Sequence, residues 1–153
     1  MKDLVKTKGY IRRTIKYKDG TVEVAEFHNA MLDGGKQYLA RCLLEESPKL
    51  YIKHMIFGDG GTNNGEPKEI SPMQDALFGV TRVEKLVVAQ LDPEMPKQVI
   101  FSVVIGEDEG NNHPLNEMAL VLSDGTLSNL STFADLNKTD QMEIDWSWVV
   151  CFV

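Results

Sequence analysis

Apolar and polar residues alternate along much of this sequence, and a two-residue period of this kind is typical of β-strands. The clearest run consists of Met142, Ile144, Trp146 and Trp148, each separated from the next by one polar residue. Because successive side chains of a strand point to opposite faces of a sheet, this run predicts an amphipathic strand with the tryptophans in the core. In residues 149–153 both faces are apolar, so this end is expected to be buried on both sides or to pack on another subunit.

Turn dipeptides divide the alternating segments into hairpins. Residues 9–27 alternate on both sides of Asp19-Gly20, and an Asp-Gly pair between two such runs strongly favours a β-hairpin. A second hairpin is expected around Asp124-Gly125. The remaining strands are predicted over residues 51–57, 80–91, 98–105, 115–122 and 126–133.

One segment has the period of a helix instead. Leu39, Cys42 and Leu43 recur at the i, i+3, i+4 spacing that places side chains on one helix face. This spacing predicts a short α-helix over about residues 34–46, ended by the proline at position 48.

Short strands, turn dipeptides and a single helix together predict a mainly β fold. The expected architecture is an antiparallel β-sandwich with an N-terminal β-hairpin and one short α-helix. A chain of 153 residues is typical of one domain. We predict a basic arm over residues 1–8 and a single β-sandwich domain over residues 9–153.

The charge of the chain argues against some classes of partner. With 16 basic and 23 acidic residues the net charge is −7, which does not favour nucleic-acid binding. No uncharged apolar run approaches the roughly 18 residues that span a bilayer. Residues 1–53 carry 11 basic and 7 acidic side chains, whereas residues 54–153 carry 5 and 16. A basic front and an acidic body could therefore attract each other between copies.

No spacing in the sequence indicates a nucleophile or a metal site. His28, His54 and His113 are far apart, and neither a nucleophile elbow nor a zinc-binding helix motif is present. Cys42 and Cys151 are interpreted as buried small apolar residues, because two cysteines make no disulfide framework. We predict no catalytic residue, no cofactor and no metal ligand.

Three other functions are compatible with the residues. The acidic loops at residues 59–66 and 107–111 could supply oxygen ligands to Ca²⁺, although neither has the EF-hand spacing. Glu117 or Glu143 could serve a small hydrolase. Exposed tryptophans could stack on a sugar, but two-residue spacing is more typical of core positions.

Several short motifs occur in one order along the chain. They are HNAMLDGG at residues 28–35, IFGDGG at 56–61, LFGVTR at 77–82, LNEMALVLSDG at 115–125, STF at 131–133, Lys138 and the tryptophan-rich strand. This order resembles the N-terminal attachment domains of tail fibre and collar-fibre proteins of tailed bacteriophages. One departure is Ala119, where the family has glycine.

The resemblance implies a structural virion protein of a phage tail that connects or anchors tail fibre or baseplate components, with no catalysis. It implies other tail or baseplate proteins as partners, a homo-oligomer such as a trimer or hexamer, and no nucleic-acid or membrane partner. The protein would be made in the host cytoplasm and built into the virion tail. We expect the chain to be the attachment module without a fibre shaft, which favours a connecting part.

Six residues are candidates for protein contacts in this interpretation. They lie in the basic front, in the glycine-rich loop over residues 58–65 and in the apolar terminus. They are Arg12, Arg13, Asp59, Asn63, Asn64 and Phe152. Gly34 and Gly35 are expected to set the backbone geometry before the helix. The alternative function is a carbohydrate-binding β-sandwich that recognises a host receptor through the loops at residues 59–64 and 107–113.

Overall fold

The computed structural model describes residues 6–44 and 49–153. Within these ranges the strands form two five-stranded antiparallel sheets and a two-stranded ribbon. In chain order the elements are β1 (Thr7–Tyr17), β2 (Val22–His28), β3 (Ala30–Met31), α1 (Asp33–Cys42), β4 (Ile52–Gly58), β5 (Thr62–Asn63), β6 (Glu66–Pro67), β7 (Thr81–Leu86), β8 (Val88–Leu91), β9 (Gln98–Ile105), β10 (Pro114–Leu122), β11 (Leu127–Asn137) and β12 (Met142–Phe152).

The two sheets face each other, which confirms the predicted β-sandwich. The first sheet has the order β2-β1-β12-β9-β8 and the second has the order β3-β11-β10-β4-β7. An aromatic cluster from both sheets fills the centre of the core, where the rings of Phe57 and Phe133 lie 5.1 and 5.4 Å from that of Trp146. Trp146 and Trp148 are fully buried, as the alternation predicts.

The N-terminal hairpin forms where the sequence places it. β1 and β2 pair in antiparallel register, with Tyr10 opposite His28 and Lys16 opposite Val22. The Asp19 carboxylate accepts hydrogen bonds from the backbone and hydroxyl of Thr21 and so closes the turn. Of the predicted basic arm, residues 1–5 lie outside the described residues, and residues 7 and 8 belong to β1.

The segment over residues 80–91, predicted as one strand, contributes to both sheets. β7 pairs with β4 in the second sheet, and β8 pairs with β9 in the first. The chain therefore crosses from one sheet to the other at Val87, which packs against the core. Periodicity indicates strands but carries no information about which sheet each half joins.

The helix is shorter than predicted. It ends at Cys42, and Leu43 and Leu44 turn back to donate to the carbonyls of Ala40 and Arg41. The predicted end at residue 46 lies outside the described residues. Leu43 is 88% exposed and Cys42 is also exposed, so the interpretation of Cys42 as buried is wrong.

The first turn of the helix packs closely on β11. Gly34 and Gly35 lie inside that turn, not before it. A Cβ atom at Gly35 would lie 2.5 Å from the carbonyl oxygen of Ser128, so only glycine allows this approach. The glycine pair therefore determines how α1 covers the edge of the second sheet.

β10 is buried on both of its faces. Met118 and Leu120 belong to the core between the sheets, whereas Ala119 and Val121 belong to a second apolar cluster on the outer face. That outer cluster is completed by Leu32, Leu127 and Leu130 and by three half-buried residues, Ile56, Ile70 and Leu77. The loop between β6 and β7 thus covers the outer face of the second sheet.

Among the described residues, no helix has the length and the apolar composition that a membrane span requires.

Removal of the central tryptophan should weaken the fold strongly. Trp146→Ala leaves a cavity among three phenylalanine rings, and we expect it to lower the free energy of unfolding by about 3–5 kcal/mol. Val22→Ala, at an exposed position on edge strand β2, is the matched control and should change it by less than about 0.5 kcal/mol. Urea denaturation measures both, and equal effects of the two substitutions would contradict this account of the core.

Candidate interaction surface

A buried carboxylate organises the glycine-rich loop that follows β4. Glu117, at the start of β10, is fully buried on the outer side of the second sheet. Its Oε1 accepts hydrogen bonds from the backbone N–H groups of Gly60 and Gly79 at 3.0 and 2.8 Å, and its Oε2 accepts one from Phe78 at 2.8 Å. Three charge-assisted bonds compensate the burial of the carboxylate and tie two loops together.

Asn116 holds the same loop from the neighbouring position. Its Oδ1 accepts a hydrogen bond from the N–H of Gly61 at 2.7 Å. Its amide nitrogen donates to the Asp59 carbonyl, to the Thr62 hydroxyl and to the Asp135 carboxylate. Both the amide oxygen and the amide nitrogen of this buried side chain are therefore hydrogen-bonded.

The two loops approach so closely that glycine is required on both sides. A Cβ atom at Gly60 would collide with the backbone of Gly79, and a Cβ atom at Gly79 would lie 2.5 Å from the nitrogen of Gly60. The FGDGG and FGV sequences are thus two halves of one contact, joined through Glu117.

Asp59, a predicted contact residue, lies in this network. Its carboxylate accepts hydrogen bonds from the backbone N–H of Val80 at 3.0 Å and from Nε of Arg82 at 2.7 Å. Burial acts to raise the pKa of Asp59, but the bonds from Arg82 and Val80 outweigh it and lower the pKa. Asp59 is therefore committed to partners within the chain.

Asn63 and Asn64 lie at the tip of the ribbon formed by β5 and β6, within a segment predicted as a loop. Both are exposed, and the turn places Asn64 at φ 51° and Gly65 at φ 81°. Two successive residues with positive φ form the tight turn that suits a β-hairpin. The ribbon is an exposed projection fixed at its base by the bond from the Thr62 hydroxyl to Asp135.

Arg12 and Arg13 lie on opposite faces of β1. Arg12 is exposed on the outer face, with Glu26 and Ser147 as its cross-strand neighbours. Arg13 points inward, with its guanidinium carbon 4.9 Å from the centroid of the Phe27 ring. Burial lowers the pKa of the Arg13 guanidinium, which packs as part of the core.

Phe152 lies in an apolar groove at the end of the sandwich where β12 finishes. The groove has a volume of about 340 Å³ and opens between the two sheets and α1. Its lining includes Met31, Tyr38, Leu39, Tyr51, Ala89 and Phe152, and we name it the Phe152 groove. Two further hollows, one beside Leu43 and one beside Met95, also contact Phe152, and we call them the extensions of the groove.

Two lysines lie beside this groove. Lys36 lines its extension beside α1, and Lys97 lines its extension beside β12. The groove itself is lined by apolar and uncharged polar side chains, and one lysine stands in each of its two extensions.

The six predicted contact residues do not form one site. Asp59 is held inside the loop network, Asn63 and Asn64 lie on the ribbon, and Phe152 lies in the groove. Sequence reasoning missed the structural roles of Asn116 and Glu117. Two adjacent polar residues at the start of an otherwise apolar strand, LNEMALVL, could have indicated these roles.

A family model for the N-terminal part of phage tail-collar fibre proteins matches residues 24–151. The chain belongs to this family. The resemblance expected from the order of the short motifs is thereby confirmed. No curated protein and no solved structure matches the chain.

Family membership gives the chain a coarse function. It is a structural protein of a phage tail, it is part of the virion tail, and it interacts with other tail proteins. The Asn116-Glu117 pair lies within the LNEMALVLSDG motif that carries the resemblance. In the described part of the chain, no three His, Cys, Asp or Glu side chains are grouped so as to hold a metal ion.

Glu117→Gln tests the role of the buried carboxylate. The amide retains one acceptor oxygen but places an NH₂ group against a backbone N–H, so we expect a loss of about 1–3 kcal/mol in the free energy of unfolding. Glu143→Gln on β12 is the matched control, because Glu143 is not buried. Denaturant titration that finds the two variants equally stable would show that Glu117 does not hold the loops.

Acid should destabilise the protein through Asp135. Hydrogen bonds from Asn116 and Thr62 lower the pKa of Asp135, so its contribution is present above the pKa of the unfolded chain and is lost as pH falls through the folded value. Below about pH 4 stability should therefore fall. Asp135→Asn should flatten this decline in thermal melts between pH 7 and pH 2, whereas the exposed control Asp75→Asn should leave it steep. If Asp135→Asn leaves the fall in stability at low pH unchanged, Asp135 does not contribute to it.

Proposed function

We propose that the chain connects or anchors fibre or baseplate components of the tail through protein–protein contacts, without catalysis. It acts in several copies, as a trimer or hexamer. It is made in the host cytoplasm and built into the virion, and it binds neither nucleic acid nor membrane. The observation that supports this proposal most directly is the Phe152 groove with its apolar surroundings.

Large apolar side chains are exposed around the groove. Several large side chains beside it lie more than half exposed although they belong to different elements. They are Leu43, Tyr51 and Val153. Contiguous exposed apolar surface rimmed by polar groups is characteristic of protein interaction sites. This end of the sandwich is therefore the part we assign to contacts within the tail.

The surroundings of Glu117 and Glu143 support the absence of catalysis. Glu117, considered above for a hydrolase, is fully buried, and both of its carboxylate oxygens accept hydrogen bonds from backbone N–H groups. Glu143 lies on β12 opposite Lys16 of β1. The next residue, Ile144, lies in the core opposite Ile105. The tryptophans that a sugar would need for stacking, Trp146 and Trp148, are inside the core.

Genetic complementation of the phage that encodes the chain tests this assignment. Tyr51 lines the groove and is 56% exposed, so Tyr51→Asp should fold normally but weaken contacts there. A loss of about 1.4 kcal/mol at the interface would lower binding tenfold, and we expect a comparable fall in infectious titre with incomplete tails in electron micrographs. Val22→Asp, an exposed apolar position on β2, is the control. Full titre and complete tails with Tyr51→Asp would contradict the proposal.

A further inference from the structure

We propose that the Phe152 groove of one copy receives the surface around Met73 of a second copy, so that copies join head to tail. This inference deepens the proposed function and rests on it, because it names the occupant of the same groove. The Met73 surface consists of Met73 with the carboxylates of Asp33, Asp75 and Asp124 around it.

The Met73 surface has the chemistry that the groove lacks. Met73 is 82% exposed, and it projects from the loop that covers the outer face of the second sheet. Three aspartates line the same surface, and one of them, Asp33, lies 4.0 Å from Lys36 of its own copy. A flexible, unbranched thioether side chain adapts well to an irregular apolar groove.

The loop that carries Met73 is held in place from both ends. The carbonyl of Pro72 accepts a hydrogen bond from the N–H of Asp33 at 2.8 Å, which links the loop to the start of α1. Glu117 fixes Phe78 and Gly79 farther along. Because the loop is already ordered on the sheet, less conformational entropy is lost when Met73 binds a partner.

The groove presents the opposite charge. Lys36 and Lys97 line its two extensions, and no aspartate or glutamate of the described residues lines the groove or either extension. An apolar groove flanked by two lysines is complementary to an exposed methionine flanked by aspartates. Two grooves placed face to face would instead oppose lysine against lysine, which disfavours a symmetric dimer through this end.

The position of α1 separates the two surfaces within one copy. Gly34 and Gln37 lie on the side of the Met73 surface, whereas Leu39 and Leu43 lie on the side of the groove. Lys36 lies 4.0 Å from Asp33 across the first turn. Since the two surfaces are different patches, the contact is heterologous, and it closes into a ring or extends into a filament.

Light scattering on the purified chain tests the contact directly. Leu43→Glu damages the groove and Met73→Glu damages the loop, and both residues are more than four-fifths exposed, so neither substitution should disturb folding. We expect the wild-type chain to form oligomers at low salt, with a dissociation constant that rises about tenfold between 0.05 and 0.5 M NaCl. Each variant should have the 17.2 kDa mass of the monomer. The control Val22→Asp should assemble like the wild type.

Mixing the two variants distinguishes a head-to-tail contact from a symmetric one. Leu43→Glu retains an intact Met73 surface and Met73→Glu retains an intact groove, so a mixture can form one complete junction. We expect a heterodimer of about twice the monomer mass, and circular dichroism should show both variants folded. A mixture that remains monomeric while the wild type assembles would overturn the proposal.

Two further outcomes also overturn it. A wild-type chain that is monomeric at every concentration and salt would show that a second copy does not occupy the groove. Oligomers that Met73→Glu leaves intact would show that the copies join elsewhere. In either case a fall in titre with Tyr51→Asp would still support the groove as a contact site within the tail, so the two proposals fail separately.

Discussion

The hydrogen bonds to the buried carboxylate of Glu117 determine how this chain covers the outer face of its second sheet. A carboxylate at that depth is tolerated only with strong partners, and three backbone N–H groups from two different loops provide them. Asn116 secures the same loop from the adjacent position. The glycine-rich turn, the ribbon beyond it and the long loop over the outer apolar cluster all depend on this pair.

This constraint explains why the sandwich is asymmetric. β10 is buried on both faces because the loop and the start of α1 cover it, whereas the far end of the sandwich stays open between the sheets. Apolar side chains from α1, β4, β8 and β12 converge at that opening around Phe152. The stability of the fold and the exposed apolar surface therefore arise at different places, which allows substitutions at the surface without loss of the core.

Strand periodicity predicted the larger part of the fold. The hairpin at Asp19-Gly20, the strand over residues 98–105 and the burial of both tryptophans needed only local pattern and turn chemistry. The crossing of the chain between sheets at Val87 and the end of the helix at Cys42 could not be predicted, because tertiary pairing decides both. The inward position of Arg13 could have been inferred from its alternation with Ile11 and Ile15. The role of Glu117 required knowledge of which loops meet it in space.

We infer that the Phe152 groove is covered in the assembled tail. Cys42 is exposed in the single chain and lines an extension of this groove, so its thiol reports directly on access. The decisive measurement is the rate at which a maleimide labels Cys42 in intact phage particles and in the purified monomer, resolved from Cys151 by peptide mass spectrometry. We expect labelling to be at least about tenfold slower in the particle, because the thiol would lie within a packed interface. Equal rates in the two samples would show that the groove remains open to solvent and would contradict the claim.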